Sequence, residues 1–135
     1  MKQQLLLTLE NSQNYTLAVA EEMPETSYDF KPAGGGWNFA ELMDHIAYGI
    51  LWWEQNYVKG DETPWEQSLV KNNKQEIIDY LKTAYSSLKN TIEKQKLSDE
   101  SVKGFHATID HITHHRGQAV VYLRCKAIDP PAYTF

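Results

Sequence analysis

The sequence predicts an all-α protein, a four-helix bundle formed by one domain over residues 1–135. Apolar residues recur at spacings of three and four in four separate segments, which indicates four amphipathic helices. No segment alternates with period two for long enough to form a strand, so one helical core without a sheet is expected. At 135 residues, with 41% hydrophobic and 23% charged residues, the chain can bury a core of ordinary size.

The first predicted helix covers residues 2–22. Its core face repeats at spacings of four and three and consists of Leu5, Leu9, Ser12, Thr16, Val19 and Met23. Pro24 ends the helix, because proline cannot continue the backbone hydrogen bonding. Pro32 and the three glycines at 34–36 then predict a mobile connection.

The second helix is predicted to begin with a capping box, in which Asn38 is the N-cap and Glu41 is the third helical residue. Its core face is predicted to be Phe39, Met43, Ile46, Ile50, Trp53 and Tyr57. His45 lies on the flank of this face. Residues 58–72 contain Gly60 and Pro64 and predict a long crossover, which leaves the direction of the next helix open.

A second capping box, Asn73 with Glu76, predicts the third helix, which closes near Lys96. Its core face is Ile77, Leu81, Ala84, Leu88 and Ile92. Residues 97–103 are predicted to be a polar turn. The last helix is predicted over residues 105–126, before two consecutive prolines. Its core face is Phe105, Ile112, Ala119 and Leu123, with Ile109 and Val120 on the flank.

The last helix carries three histidines within five residues. His111 and His115 are one turn apart, so their imidazoles project in the same direction and could bind one cation. His114 is also within one turn of His111. On an ideal helix His115 lies about 80° from the centre of the core face, His111 about 120° and His114 about 180°. We therefore assign the pair to His111 and His115, although Ala107, Val121 and Cys125 form a second, weakly apolar strip near His114.

Two imidazoles hold a metal ion poorly, so a third ligand from another helix is required. His45 is the candidate, because a residue on the flank of the second helix can meet the last helix in a bundle. Three histidines suit a borderline divalent ion such as zinc, nickel or iron(II), and a three-ligand site leaves a position open to water or substrate. The alternative interpretation is a surface histidine pair at 111 and 115 with a hydrogen-bonded boundary histidine at 45.

Other metal motifs are absent from the sequence. No glutamate stands three residues before a histidine, as di-iron bundles require, and no His-Glu-x-x-His occurs. Trp37, Tyr48 and Gln118 are candidates for lining a pocket. Asp44, Tyr48 and Asp110 are candidates for a general base, and the sequence does not distinguish between them.

Charge and composition limit the partners. A net charge of −5 with scattered basic residues gives no electrostatic reason to expect nucleic acid or an anionic membrane. No apolar window is long enough for a membrane span and no signal peptide is evident, so a cytoplasmic protein is expected. The single cysteine, Cys125, excludes an internal disulfide and is expected to be an inert, packed thiol.

Two motifs closely resemble the DinB/YfiT-like family. The first is HxxHHRGQ at residues 111–118, followed by YLR at 122–124 and PPxY at 130–133. The second is WNxxExxxH at residues 37–45, which is similar to that family's opening of the second helix. Together they are specific, and the resemblance extends over essentially the whole chain.

The resemblance implies a bundle of down-up-up-down topology, usually a homodimer. It implies a divalent metal, often zinc or nickel, on residues matching His45, His111 and His115. Relatives include thiol transferases and isomerases that use low-molecular-weight thiols, and others described as hydrolases, so the expected partner is a small-molecule substrate. Two positions depart from the family: Ala127 replaces a usual glycine, and Asp110 replaces a frequent asparagine. If residue 127 needs a positive φ, alanine costs about 1 kcal/mol there.

Overall fold

A computed structural model describes residues 1–67 and 70–133 of the chain. Four helices form the bundle: α1 (Lys2–Glu22), α2 (Phe39–Trp53), α3 (Lys74–Lys94) and α4 (Asp99–Cys125). A 3₁₀ turn at Glu25–Ser27 follows α1, and a π-helical turn at Glu54–Val58 extends α2. The described ranges contain no strand. The predicted all-α four-helix bundle is therefore confirmed.

The side-chain contacts between helices give their directions. Asp44, early in α2, accepts a hydrogen bond from the backbone of Lys71 just before α3, whereas Glu54 at the end of α2 accepts one from Thr91 late in α3. Helices α2 and α3 are therefore parallel. Lys2 reaches Glu93 while Lys74 reaches Glu21, so α1 and α3 are antiparallel.

Helix α4 runs against α2. Tyr122, near its end, donates to the carbonyl of Trp37 before α2, and Ser101, near its start, donates to the carbonyl of Val58 after α2. The four helices therefore have down-up-up-down topology. The long crossover between α2 and α3 makes their parallel arrangement feasible. Residues 68 and 69 of the predicted crossover lie outside the described residues.

The predicted core faces of α1, α3 and α4 are buried as expected. Every residue named for these three faces is buried, and the flanking Ile109 and Val120 are half-buried. Burial of apolar surface at about 25 cal/mol per Å² is the main favourable contribution to folding. Cys125 is exposed, so the prediction of a packed thiol is wrong. It lies on the solvent side of the last turn of α4.

The predicted core face of α2 is wrong at its end. Tyr57 is 48% exposed, and Glu54 and Val58 are each 2% exposed. The cause is the π-helical turn, which contains more residues per turn than an α-helix and rotates the following side chains. A periodicity of 3.6 cannot anticipate this change.

The start of α4 also differs from the prediction. The helix begins at Asp99, and the oxygen of Ser98 accepts a hydrogen bond from the backbone N–H of Ser101, so residues 99–103 are helical rather than a polar turn. The acidic residues in the first turn favour this start by opposing the helix dipole. Glycine is required at position 104 inside the helix, because a Cβ there would overlap the carbonyl of Tyr57.

The capping predictions hold for α2 and in part for α3. Glu41 N–H donates to Asn38 at 2.8 Å and Asn38 N–H donates to Glu41 at 3.2 Å, which completes the box. In α3, Glu76 N–H donates to Asn73 at 2.8 Å, but the Glu76 carboxylate accepts from the side-chain amide of Asn73 instead of its backbone.

Helix α4 ends in a left-handed residue. Ala127 has a φ of 58°, and its N–H donates to the carbonyl of Arg124. The N–H of Ile128 donates to the carbonyl of Leu123. This pattern is a Schellman motif, in which glycine is usual at the left-handed position. The expected strain of alanine, about 1 kcal/mol, therefore applies at this helix end.

None of the helices in the described part of the chain is both long enough and apolar enough to span a bilayer.

Candidate metal centre

The three predicted histidines meet between α2 and α4. His45 Nε2 lies 3.1 Å from His111 Nε2 and 3.1 Å from His115 Nε2. One nitrogen of each ring lies within 4.8 Å of the other two. His45 is buried and the other two rings are half-buried. The antiparallel packing of α2 against α4 thus brings together residues that are 66 and 70 positions apart in the sequence.

His114 and His106 are both exposed and stand outside this cluster. The ring of His114 lies beside that of His115, with centroids 4.8 Å apart, but it is exposed to solvent. The choice of His111 and His115 as the converging pair therefore agrees with the geometry. The decisive quantity was the angle from the core face, because residues nearer that face turn toward the neighbouring helix.

Gly49 provides the space for the His111 ring. It lies one turn after His45 on α2, and a Cβ built there would stand 2.5 Å from His111 Cε1 and 2.9 Å from His111 Nδ1. Any larger residue would push the imidazole away from the other two. The absence of a side chain at this position is thus a structural requirement of the cluster.

The ring of His115 is oriented by Gln118, one turn further along α4. The two side chains form a hydrogen bond of 2.8 Å between His115 Nδ1 and Gln118 Oε1. Because the carboxamide oxygen only accepts, Nδ1 carries the proton and Nε2 keeps its lone pair. The lone pair therefore faces the centre of the cluster, as a metal ligand requires.

The Nδ1 atoms of His45 and His111 are buried and have no hydrogen-bond partner among the described residues. Metal-binding histidines usually donate from the second ring nitrogen to a carboxylate, a carbonyl or a water. Among the described residues, His115 is the member of the cluster whose Nδ1 has such a partner, the carboxamide oxygen of Gln118.

Burial and mutual repulsion keep the cluster neutral. Burial lowers the pKa of His111 to about 4, with further lowering by His115, His45 and His114. Burial, and then the neighbouring His115, lower the pKa of His45. Burial also lowers the pKa of His115. Neutral imidazoles at neutral pH are the form that binds metal, so no proton has to be removed first.

The separations match the size of a transition-metal ion. Histidine–zinc bonds of about 2.0–2.1 Å at tetrahedral angles separate two nitrogens by about 3.3 Å. The observed 3.1 Å separations are close to this value. Three neutral nitrogen donors also suit zinc, nickel or iron(II) better than magnesium or calcium. The residues present therefore fit a divalent metal of this class.

Tryptophan side chains surround the cluster. The ring of Trp37 lies 4.4 Å from that of His45, and the ring of Trp65 lies 5.4 Å from it. The ring of Trp53 lies 6.0 Å from that of His111. Trp37 and Trp65 are 38% and 41% exposed, so each lies between a histidine ring and solvent.

Trp65 was not identified from the sequence. It belongs to the crossover after α2, which has no periodicity from which its direction could be read. Its position is fixed by neighbours: Trp52 donates to the carbonyls of Thr63 and Pro64, and Tyr48 accepts from the backbone of Glu66. In the sequence, a tryptophan directly after Pro64 is the feature that could have indicated a residue at the site.

The remaining candidates take different places. Trp37 and Gln118 contact the histidines, whereas Tyr48 contacts Trp65, with ring centroids 4.7 Å apart. The carboxylate of Asp44 is buried and accepts from Gln67 and from Lys71 N–H. Asp110 is exposed. Asp44 therefore anchors the crossover, and Asp110 is solvated.

Comparison with known proteins agrees with this architecture. The model of the DinB superfamily matches residues 8–119. A solved DinB-like protein from Bacillus cereus ATCC 10987 is 16% identical, with a TM-score of 0.78 over 96% of this chain and 95% of that one. A DinB-like protein from Bacillus subtilis is 19% identical, with a TM-score of 0.79 over 97% and 98%. No curated protein matches. At these identities the structural likeness concerns the fold alone.

Proposed function

We propose that this chain, which belongs to the DinB superfamily, is a metal-dependent enzyme that acts on a small electrophilic substrate. The ligands are His45, His111 and His115, and the ion is zinc or nickel. The reaction is S-transfer from a low-molecular-weight thiol or hydrolysis. The observation that carries the proposal is the convergence of the three rings: His45 Nε2 lies 3.1 Å from the Nε2 atoms of His111 and His115, and one nitrogen of each ring lies within 4.8 Å of the other two.

A divalent cation at such a site supplies a nucleophile at neutral pH, because it lowers the pKa of a thiol or water that is bound to it. The chain's own residues have three tasks. The imidazoles provide lone pairs and leave a coordination position free. Gln118 holds the tautomer of His115 through the Nδ1 proton. Trp37 and Trp65 limit access of bulk water to His45 and offer apolar surface to a substrate.

Within residues 1–67 and 70–133, no separate general base is identified beside the cluster. Both oxygens of Asp44 accept hydrogen bonds, and Tyr48 faces Trp65 and Glu66. This favours a reaction in which the nucleophile loses its proton to solvent as it binds. The same observation supports a second candidate function, a non-catalytic bundle that binds a metal or a ligand, because such a protein needs no base.

We also propose a homodimer in the cytoplasm, with a small-molecule substrate and neither nucleic acid nor membrane as partner. The net charge of −5 supports the exclusion of nucleic acid and membrane, since nucleic acids and anionic lipids attract basic surfaces.

Turnover by the metal-loaded protein tests the proposal. The zinc and nickel forms would be incubated with small thiols and an electrophile, and separately with esters and amides, while products are quantified. We expect conjugation or hydrolysis that His115→Ala abolishes and His114→Ala retains. Bound metal without turnover on any of these substrates would contradict the enzymatic function and favour the non-catalytic binding protein.

A further inference from the structure

A second polar site lies on another face of α4, where that helix packs against α1. Its centre is Arg116, which is 5% exposed although it carries a permanent positive charge. No carboxylate among the described residues forms an ion pair with it. Burying an unpaired charge is costly, so an arginine in this position requires compensation from its surroundings.

The protein supplies only part of that compensation. Arg116 Nη1 contacts the carbonyl of Ser12 and the hydroxyl of Thr16, both at 3.4 Å, which is long for a hydrogen bond. The rings of Tyr15 and Tyr133 lie 5.0 and 5.9 Å from the guanidinium carbon. A guanidinium has five donors, and both of these contacts come from one nitrogen.

Two small clefts open at this guanidinium, and both are lined by Arg116, Thr113 and Tyr133. The first has a volume of about 210 Å³, and its remaining walls are Thr8, Asn11, Ser12 and Ile109. The second has about 250 Å³, and its remaining walls are Tyr15, Gly117 and Val120. Neither lining contains an acidic residue, although the chain has 18 acidic and 13 basic residues.

We propose that the Arg116 clefts bind a small organic monocarboxylate with a short apolar group. The planar guanidinium pairs with a carboxylate through two parallel hydrogen bonds, and Thr113, which lines both clefts, offers a hydroxyl donor. Tyr15, Val120 and Tyr133 provide the surface for the apolar group. Drug-sized ligands need about 300–1,000 Å³, so each cleft suits a smaller molecule.

Calorimetric titration with benzoate tests this site. Wild-type protein is expected to bind benzoate saturably and more tightly than acetate, while benzamide, which has the same shape without the charge, does not bind. Because a carboxylate can also ligate a metal, the titration is repeated with His115→Ala, which should bind benzoate with unchanged affinity.

Matched variants locate the binding. Arg116→Lys keeps the charge but loses the planar pair and should weaken benzoate binding at least about tenfold. Arg124→Lys alters the exposed arginine of the same helix and should leave it unchanged. If Arg116→Lys fails to fold by circular dichroism, the exposed Thr113→Val replaces it and should also weaken binding. No saturable benzoate binding to the wild type, equal binding of benzamide, or wild-type affinity in the folded Arg116→Lys or Thr113→Val variant would overturn the proposal.

Discussion

Two buried polar clusters in this bundle differ in how their hydrogen bonds are satisfied. Between α1 and α3, the hydroxyl of Tyr85 lies 2.9 Å from Ser12 Oγ and 2.9 Å from Thr16 Oγ1. Hydroxyls both donate and accept, so these three groups satisfy one another. Between α2 and α4, the nitrogens of His45, His111 and His115 face one another, and His115 presents a lone pair without a proton.

This contrast indicates that the Tyr85 cluster is structural. A cluster whose donors and acceptors match needs no ligand and helps to define the packing of the core. A cluster of facing acceptors is repulsive unless a cation or a shared proton lies among them. Lowered pKa values of the three histidines oppose an additional proton that would make the cluster cationic. The metal ion proposed above would stabilise the arrangement by accepting the three lone pairs.

The largest effect is expected from removing one ligand of the histidine cluster. His115→Ala should lower the affinity for zinc by at least about a hundredfold, since misorienting a ligand alone costs ten- to a hundredfold. Competition with a chromogenic chelator would measure this. His114→Ala is the matched control, one residue away and exposed. Equal losses in both variants would show that the pair was wrongly assigned.

Removing the Tyr85 hydroxyl should instead lower stability and leave the histidine cluster unchanged. Tyr85→Phe leaves Ser12 and Thr16 without their shared partner and should lower the free energy of unfolding by about 1–3 kcal/mol. Urea denaturation of the metal-free protein measures the loss. Zinc affinity should be that of the wild type; a parallel fall in zinc affinity would mean that the two clusters are coupled.

A smaller change of metal affinity is expected from Gly49→Ala. The new Cβ would stand 2.5 Å from His111 Cε1, so the ring has to move and affinity for zinc should fall about tenfold. Gly117→Ala provides the control, because a Cβ there meets nothing within 4 Å and alanine favours the helix. Unchanged zinc affinity in Gly49→Ala would contradict the role given to this glycine.

Acid is expected to destabilise the metal-free protein. Burial lowers the pKa of His111 in the folded state to about 4 from an ordinary value of 6.5. The unfolded chain therefore takes up a proton that the folded chain does not, so stability is complete above pH 6.5 and falls as the pH drops toward 4. Urea denaturation across this range should show a steeper loss for the wild type than for His111→Gln. Identical pH profiles would mean that the ring titrates normally.

The sequence predicted the bundle and the three histidines because both follow from helical periodicity. The core faces of α1, α3 and α4 repeat regularly, and the angle from such a face separates His115 from His114. Three features lacked that signal. The π-helical turn changes the period after Trp53, Trp65 lies in an aperiodic crossover, and the start of α4 depends on one serine cap.

Titration of zinc into the metal-free protein, with the wild type beside His45→Ala, determines whether the three histidines bind one metal ion. His45 is the one member of the cluster that α4 does not carry, so its contribution depends entirely on the packing of α2 against α4. We expect one site per chain in the wild type and an affinity at least about a hundredfold weaker in the variant. Equal affinity in the two proteins, or no zinc binding to the wild type, would contradict it.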